Sequence, residues 1–248
     1  PLPRDHQTEG RFCDSNRVDY QLIFALTRPY GPIRYRGPLM ILKFRTGFRV
    51  TPVLLSLNLL MFLAVVVLNG NFSQFSAQSL LALGANYSNF VVQGEWWRFF
   101  SSIFLHLGLM HLVFNSASLF VLGRFIEPLL GSALFLLVYL ACGLAGSFAS
   151  YLFNPGVISA GASGAIFGLF GIFVAVLLSN IVRPDLRKEW LKSIGAVLAI
   201  NLGLGLFLPI DNSAHLGGLA CGVLMGLLLL PWMRSRLRRL LNNDLTLR

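Results

Sequence analysis

Gly161-Ala162-Ser163-Gly164-Ala165-Ile166-Phe167-Gly168-Leu169-Phe170-Gly171 opens an apolar run that continues to Val182 without a charged residue. An apolar helix has no need of the serine at its mouth, and His215 opens a second run of the same kind. A polar group at membrane depth is disfavoured by several kcal/mol unless it is partnered. An intramembrane histidine is therefore a functional candidate, with Ser163 as its evident partner.

The composition agrees with a membrane setting. Of 248 residues, 55% are apolar and 12% charged, against about 45–50% and about 25% in soluble domains. Runs of about 20 apolar residues, long enough to cross a bilayer, recur from Thr51 to Trp232. The chain reads as an all-α polytopic membrane protein with six spans: Pro52–Asn69, Ile103–Leu122, Ser132–Phe153, Ser163–Val182, Leu191–Leu208 and Ala214–Met233. The first run is too long for the core of a signal peptide and is read as a span. Three segments follow: a basic N-terminal segment or small domain at 1–48, a six-span core at 49–233 and a basic tail at 234–248.

The net charge of +10 would raise nucleic acid as a partner in a soluble chain, but its distribution points elsewhere. Nine of the twenty Lys and Arg precede the first span, and Arg183, Arg187, Lys188 and Lys192 separate the fourth from the fifth. Arg234, Arg236, Arg238, Arg239 and Arg248 follow the sixth, while the alternate loops carry only Arg98. Positive-inside bias puts both termini in the cytoplasm, as an even number of spans requires. The lipid bilayer, not nucleic acid, is the partner read from this charge. Cys13, Cys142 and Cys221 show no paired spacing and receive no chemistry.

The loop from Gly70 to Phe100 ends in Glu95-Trp96-Trp97-Arg98-Phe99-Phe100. Clustered aromatics around one arginine suit a half-buried loop in the headgroup zone on the outer face, and an aromatic belt with no catalytic part is the favoured reading of these residues.

Ser163 falls at a helix start, where first-turn N–H groups lack intrahelical acceptors. An oxyanion formed by attack of Ser163 would meet those donors and the positive end of the helix dipole. Taken alone, Gly-x-Ser-Gly also fits a serine bonded to its own turn. His215 shares a helical face with Gly218, Gly222 and Gly226, and span four carries Gly164, Gly168 and Gly171. If the two stripes meet, backbones approach closely and bring the imidazole within reach of the hydroxyl as a general base. A packing histidine bonded to a carbonyl is the alternative.

Asp211, four residues before His215, invites a triad reading, but its place beside Pro209 suits a helix cap. Phe167, one turn after Ser163, could stack on the imidazole or be ordinary core. His111 and Asn115 are four apart on one face of span two and could complete an oxyanion site. His106 faces elsewhere and is expected to pin the aromatic loop by hydrogen bonds. No Asp, Glu or Cys joins the three histidines with ligand spacing, so neither metal nor cofactor is expected.

Taken together over about residues 50–233, these motifs resemble the rhomboid intramembrane serine proteases: Trp97-Arg98, then His106, His111 and Asn115, then Gly161-Ala162-Ser163-Gly164, then Ala214-His215 with Gly218 and Gly222. The resemblance implies a six-helix bundle and a Ser163–His215 dyad without an acid. It implies an oxyanion hole from His111, Asn115 and the Ser163 amide, and cleavage of transmembrane protein substrates through an acyl-enzyme. Substrates are implied to enter past the fifth span. The family commonly has Tyr where this chain has Phe167, which keeps a ring against His215. A bacterial cytoplasmic membrane is the expected location, and the oligomeric state is left open. Two other classes were weighed: a rhomboid-like protein that binds transmembrane clients without cutting them, which needs neither Ser163 nor His215, and a small transporter, for which neither a repeat nor a membrane-buried carboxylate is evident. Local unwinding of a substrate helix favours small residues at the scissile bond with Gly or Pro nearby.

Overall fold

A computed structural model of the chain describes residues 48–72, 75–182 and 184–245. Residues 1–47, with Cys13, lie outside the described residues. No strand forms among those described; one isolated bridge joins Asn86 and Ser159.

The elements are α1 (Val50–Asn69), α2 (Ala77–Ala82), α3 (Ser88–Val92), α4 (Arg98–Ser101) leading into a 3-10 turn at Ser102–Phe104, α5 (Leu109–Leu130), α6 (Ser132–Phe153), α7 (Ser163–Leu178), α8 (Pro184–Leu204) and α9 (Asn212–Leu245). Among the described residues, four helices are long and apolar enough to cross a membrane: α1, α5, α6 and the Asn212–Leu240 part of α9. The protein is an all-helical integral membrane protein.

At the centre lies α7, packed against α5, α6, α8 and α9. It is apolar all round, with Gly164 to Leu169, Gly171 to Phe173 and Ala175 to Leu177 buried, the pattern of a helix enclosed by others. Its 16 residues rise about 24 Å, short of the ~30 Å hydrocarbon thickness. The chain enters α7 through the loop that precedes Ser163.

Between lipid-immersed helices, close packing and hydrogen bonds replace the hydrophobic drive, and both act here. A Cβ on Gly218 would overlap the Gly164 carbonyl oxygen, and one on Gly222 the Gly168 carbonyl oxygen. On Gly171 it would sit 2.5 Å from the Leu219 oxygen. The glycine stripes of α7 and α9 thus touch backbone to backbone. From α6, Gly146 joins them, with room for no Cβ beside the Ala214 oxygen at 2.7 Å.

At the end opposite Ser163, a carboxylate ties the frame together. Glu127 is fully buried. Its Oε1 accepts the Arg49 and Val50 N–H groups at 2.7 and 2.8 Å and the Ser132 hydroxyl at 2.7 Å. Its Oε2 accepts the Thr51 N–H and hydroxyl at 2.9 and 2.7 Å. A negative charge thus sits on the positive end of α1 and satisfies its orphan donors. Beside it, Arg236 Nε and Trp232 Nε1 donate to the Pro128 and Leu130 carbonyls at the end of α5.

Several boundaries differ from the sequence reading. Residues 103–108 do not belong to the second span: Ile103 and Phe104 lie in the 3-10 turn, and the helix starts at Leu109 after Gly108. It then runs on to Leu130, with Pro128 inside its last turn. Glu127 is consequently a buried carboxylate within a spanning helix, contrary to the expectation that none exists. α7 stops at Leu178, not Val182, where Ser179 turns extended. α8 begins at Pro184, a favoured first-turn residue, and ends at Leu204. α9 continues past Met233 to Leu245 with Met233 and Leu237 buried.

Replacing Gly222 by Ala forces a methyl into the α7 backbone and is expected to destabilise by about 1–3 kcal/mol. Gly195→Ala on α8, where a Cβ meets nothing within 4 Å, is expected to be neutral or stabilising by up to ~1 kcal/mol. Unfolding midpoints of the two variants in one detergent check the contrast.

Candidate active site

The Ser163 site grows from a loop that the rest of the molecule holds rigidly. The Gly161 N–H donates to the Ser102 carbonyl at 2.9 Å, and Asn86 and Ser159 exchange backbone bonds at 2.8 and 2.9 Å. Asn86 Nδ2 donates to the Ser147 carbonyl at 2.9 Å, which ties that bridge to α6. Gly161 has φ +148, where a side chain is strained. A Cβ there would lie 2.7 Å from His111 Cε1, 3.0 Å from His111 Nε2 and 3.5 Å from Ser163 Oγ. The missing side chain lets the His111 ring and the Ser163 hydroxyl approach the same backbone atom.

Ser163 is the first residue of α7, so its N–H has no intrahelical acceptor, and it makes no backbone bond among the described residues. His111 is oriented by the Leu107 N–H, which donates to its Nδ1 at 3.3 Å. A neutral imidazole that accepts at Nδ1 carries its proton on Nε2, the nitrogen near Gly161. Asn115 is buried, and its Nδ2 donates to the His111 carbonyl one turn back at 3.0 Å. One hydrogen of that amide group remains for another acceptor.

His215 lies in the first turn of α9 and is 5% exposed. Its ring stacks on Phe167 with centroids 4.0 Å apart and planes at 7°. Such a contact adds about 0.5–1.5 kcal/mol beyond area burial and fixes the plane of the imidazole. Phe167 is one turn along α7 from Ser163, and a Cβ added to Gly164 would lie 3.4 Å from the Ala214 carbonyl oxygen. The structure therefore gathers Ser163, Gly161, Gly164, His111, Phe167, His215 and Gly218 at one end of the α7–α9 contact.

His106 differs from its expected role. It is fully buried, and neither ring nitrogen has a hydrogen-bond partner; it packs edge-on against His111 at 5.3 Å. The aromatic loop is held by Arg98 instead. That side chain is 6% exposed and donates to the Leu81 and Ala85 carbonyls at 2.8 and 3.1 Å. It also pairs with Glu95 at 2.6 Å and lies over the Phe90 and Trp97 rings. Trp96, Trp97 and Phe100 are exposed around it. A cavity of about 360 Å³ lined by Phe72, Leu107, Gly108, Leu109, Met110 and His111 opens beside the site. No cluster of His, Cys, Asp or Glu suited to a metal ion occurs among the described residues.

Sequence reasoning missed Gly146, Ser102 and Leu107. Gly146 could have been found from the Gly143 and Gly146 spacing on α6, a third small-residue face. Ser102 and Leu107 act through backbone groups, which leave no side-chain signal.

A polytopic helical membrane protein with a serine and an imidazole gathered on abutting helices is the class that fold and site define. A family model described as the Rhomboid domain matches residues 93–232, more than half of the chain, and the chain belongs to that family. It is similar to the Rhomboid protease GluP of Bacillus subtilis (strain 168), 43% identical over 177 residues that cover 69% of this chain and 33% of GluP. RHOMBOID-like protein 6, mitochondrial, of Arabidopsis thaliana is 40% identical over 161 residues, 64% of this chain and 52% of that protein. Putative rhomboid protease YdcA of B. subtilis is 40% identical over 144 residues, 57% of this chain and 71% of that protein. The chain thus spans a third of GluP and about half of RHOMBOID-like protein 6.

Arg98→Lys keeps the charge but loses the planar fork that serves two carbonyls and Glu95. It is expected to loosen the loop between α1 and α5, seen as several-fold faster cutting of that loop by an added protease, with α6 to α9 still protected.

Proposed function

We propose that this protein is an intramembrane serine endopeptidase that hydrolyses peptide bonds in or next to transmembrane segments of membrane proteins. The observation that carries the reading is the convergence on Gly161 and Phe167: a serine at a helix N-terminus, a histidine Nε2–H beside it, and an imidazole stacked one turn along the same helix. Ser163 acts as nucleophile and His215 as general base. The serine proton passes to His215 as Oγ bonds the scissile carbonyl carbon, and it is then given to the leaving amine as the carbon–nitrogen bond breaks. The acyl-enzyme is hydrolysed by water that the same histidine activates.

The carbonyl oxygen becomes negative during attack. The Ser163 N–H, the His111 Nε2–H and the free Asn115 N–H are the donors for it, aided by the positive end of α7. Water reaches this depth because α7 is too short to fill the bilayer. Six spans with both termini cytoplasmic put the site in the outer half of the membrane, with 1–48 and 234–248 as cytoplasmic segments around a core of 49–233. α8 meets the core through Leu186, Trp190, Leu191, Ile194 and Leu198, while Val197, Ile200 and Leu204 are exposed. Its end near Ser163 is the side where a substrate helix enters. The names of GluP and YdcA support the activity, and a Bacillus relative supports a bacterial cytoplasmic membrane.

Purified protein in detergent, given a transmembrane substrate and separately a fluorophosphonate, tests the reading. Ser163→Ala is expected to abolish both cleavage and labelling, and His215→Ala to reduce each by at least ~10³-fold. His111→Ala is expected to lower kcat by about 10²–10³-fold with little change in KM. Cleavage that survives Ser163→Ala would end the proposal.

A further inference from the structure

Cys142 and Cys221 lie far apart in the chain, and their spacing gives no sign of pairing. The fold brings them together. α6 and α9 close on each other through small residues: Gly146 has no room for a Cβ beside the Ala214 carbonyl oxygen, and a Cβ on Gly217 would lie 2.5 Å from Ala149 Cβ and 2.8 Å from the Ala145 oxygen. One turn further along the same faces, Cys142 follows Gly146 and Cys221 follows Gly217. Their thiols are direct side-chain partners, each acting on the other, and both are free.

α7 closes the third side of the pair. A Cβ on Gly168 would overlap Cys142 Cβ and Sγ, so the missing side chain is what leaves room for this thiol. Cys142 is fully buried, whereas Cys221 is partly exposed beside exposed Ala220 and Leu224. Entry to the pair is therefore through Cys221. The helix around it carries no Asp, Glu, Lys or Arg between Asp211 and Arg234, so a reagent reaching this sulfur comes from an apolar phase, where polar molecules are disfavoured.

We propose that Cys142 and Cys221 form a reversible oxidation site, at which an apolar organic hydroperoxide converts the two thiols into a disulfide that ties α6 to α9. The Cys221 sulfur attacks the terminal peroxide oxygen, the O–O bond breaks, and the thiol proton goes to the departing alkoxide. An alcohol and a Cys221 sulfenic acid result. The Cys142 sulfur then attacks the Cys221 sulfur, the S–O bond breaks, and the hydroxyl leaves with the Cys142 proton as water. Two electrons pass from the thiols to the peroxide, and a dithiol reductant returns them. Bridging requires the sulfurs to close to about 2.05 Å with Cβ atoms about 3.8 Å apart, a short movement for side chains already in contact on tightly packed helices. The cross-link joins elements that are packed without it and removes freedom from the unfolded chain. This site is independent of the function proposed above.

The test uses the purified chain in detergent with Cys13→Ser, which leaves one cysteine pair. It is treated with cumene hydroperoxide or, at equal concentration, with hydrogen peroxide. The expected result is loss of both thiols, a Cys142–Cys221 cross-linked peptide in a non-reducing digest, and faster reaction with cumene hydroperoxide. The unfolding midpoint rises, by about 4 °C or more for a typical cross-link, and falls back after dithiothreitol. Cys142→Ala is expected to halt the reaction at a Cys221 sulfenic acid that dimedone captures, while Cys221→Ala leaves Cys142 unreacted. Both thiols recovered unreacted, cross-links only between molecules, a reaction no faster with cumene hydroperoxide, or a cross-link that does not raise the midpoint would each overturn the inference.

Discussion

The contact between the α7 and α9 backbones is the constraint on which the rest of the molecule depends. Lipid offers the helices no hydrophobic reason to associate, so close packing must supply it. Gly218 against the Gly164 carbonyl and Gly222 against the Gly168 carbonyl bring the two helices to a separation that no side chain permits. Because this contact starts at Gly164, the residue after Ser163, it also sets the height of His215, and the stack on Phe167 then fixes the ring. A packing device and a chemical site are thus one feature read at two levels.

Asn58 and Tyr139 are buried in mid-helix, but each end of the bundle has its own polar fastening. Glu127 gathers the start of α1 and Ser132, and Arg236 holds the end of α5. At the other end Arg98 folds the loop that precedes α5, and the Ser102 carbonyl anchors Gly161. These bonds also satisfy the entry loop of α7 with neighbouring groups.

Much of this was legible in the sequence. The glycine spacings of 164, 168 and 171 and of 218, 222 and 226 are periodic, and periodicity is what a linear reading detects best. Ser163 and His215 stood out because each interrupts an apolar run. Illegible features had the opposite character. The start of the second span was placed at Ile103 because apolar residues continue through the 3-10 turn, and hydropathy does not see backbone geometry. Glu127 lies beyond Leu122, where the sequence reading ended the second span, while the helix runs on through Pro128 to Leu130. His106 was given hydrogen bonds on the general expectation for a buried imidazole, yet its nitrogens have none. Orientation of His111 by the Leu107 amide could not be foreseen at all, since the donor is backbone.

The most direct measurement is an experimental structure of the protein after reaction with a fluorophosphonate. The account predicts continuous density from Ser163 Oγ to phosphorus, with a phosphoryl oxygen about 3 Å from the Ser163 amide nitrogen and from His111 Nε2, and with the His215 ring still stacked on Phe167. Phosphorus bound to another residue, or an adduct on Ser163 with its oxygen facing neither donor, would contradict it.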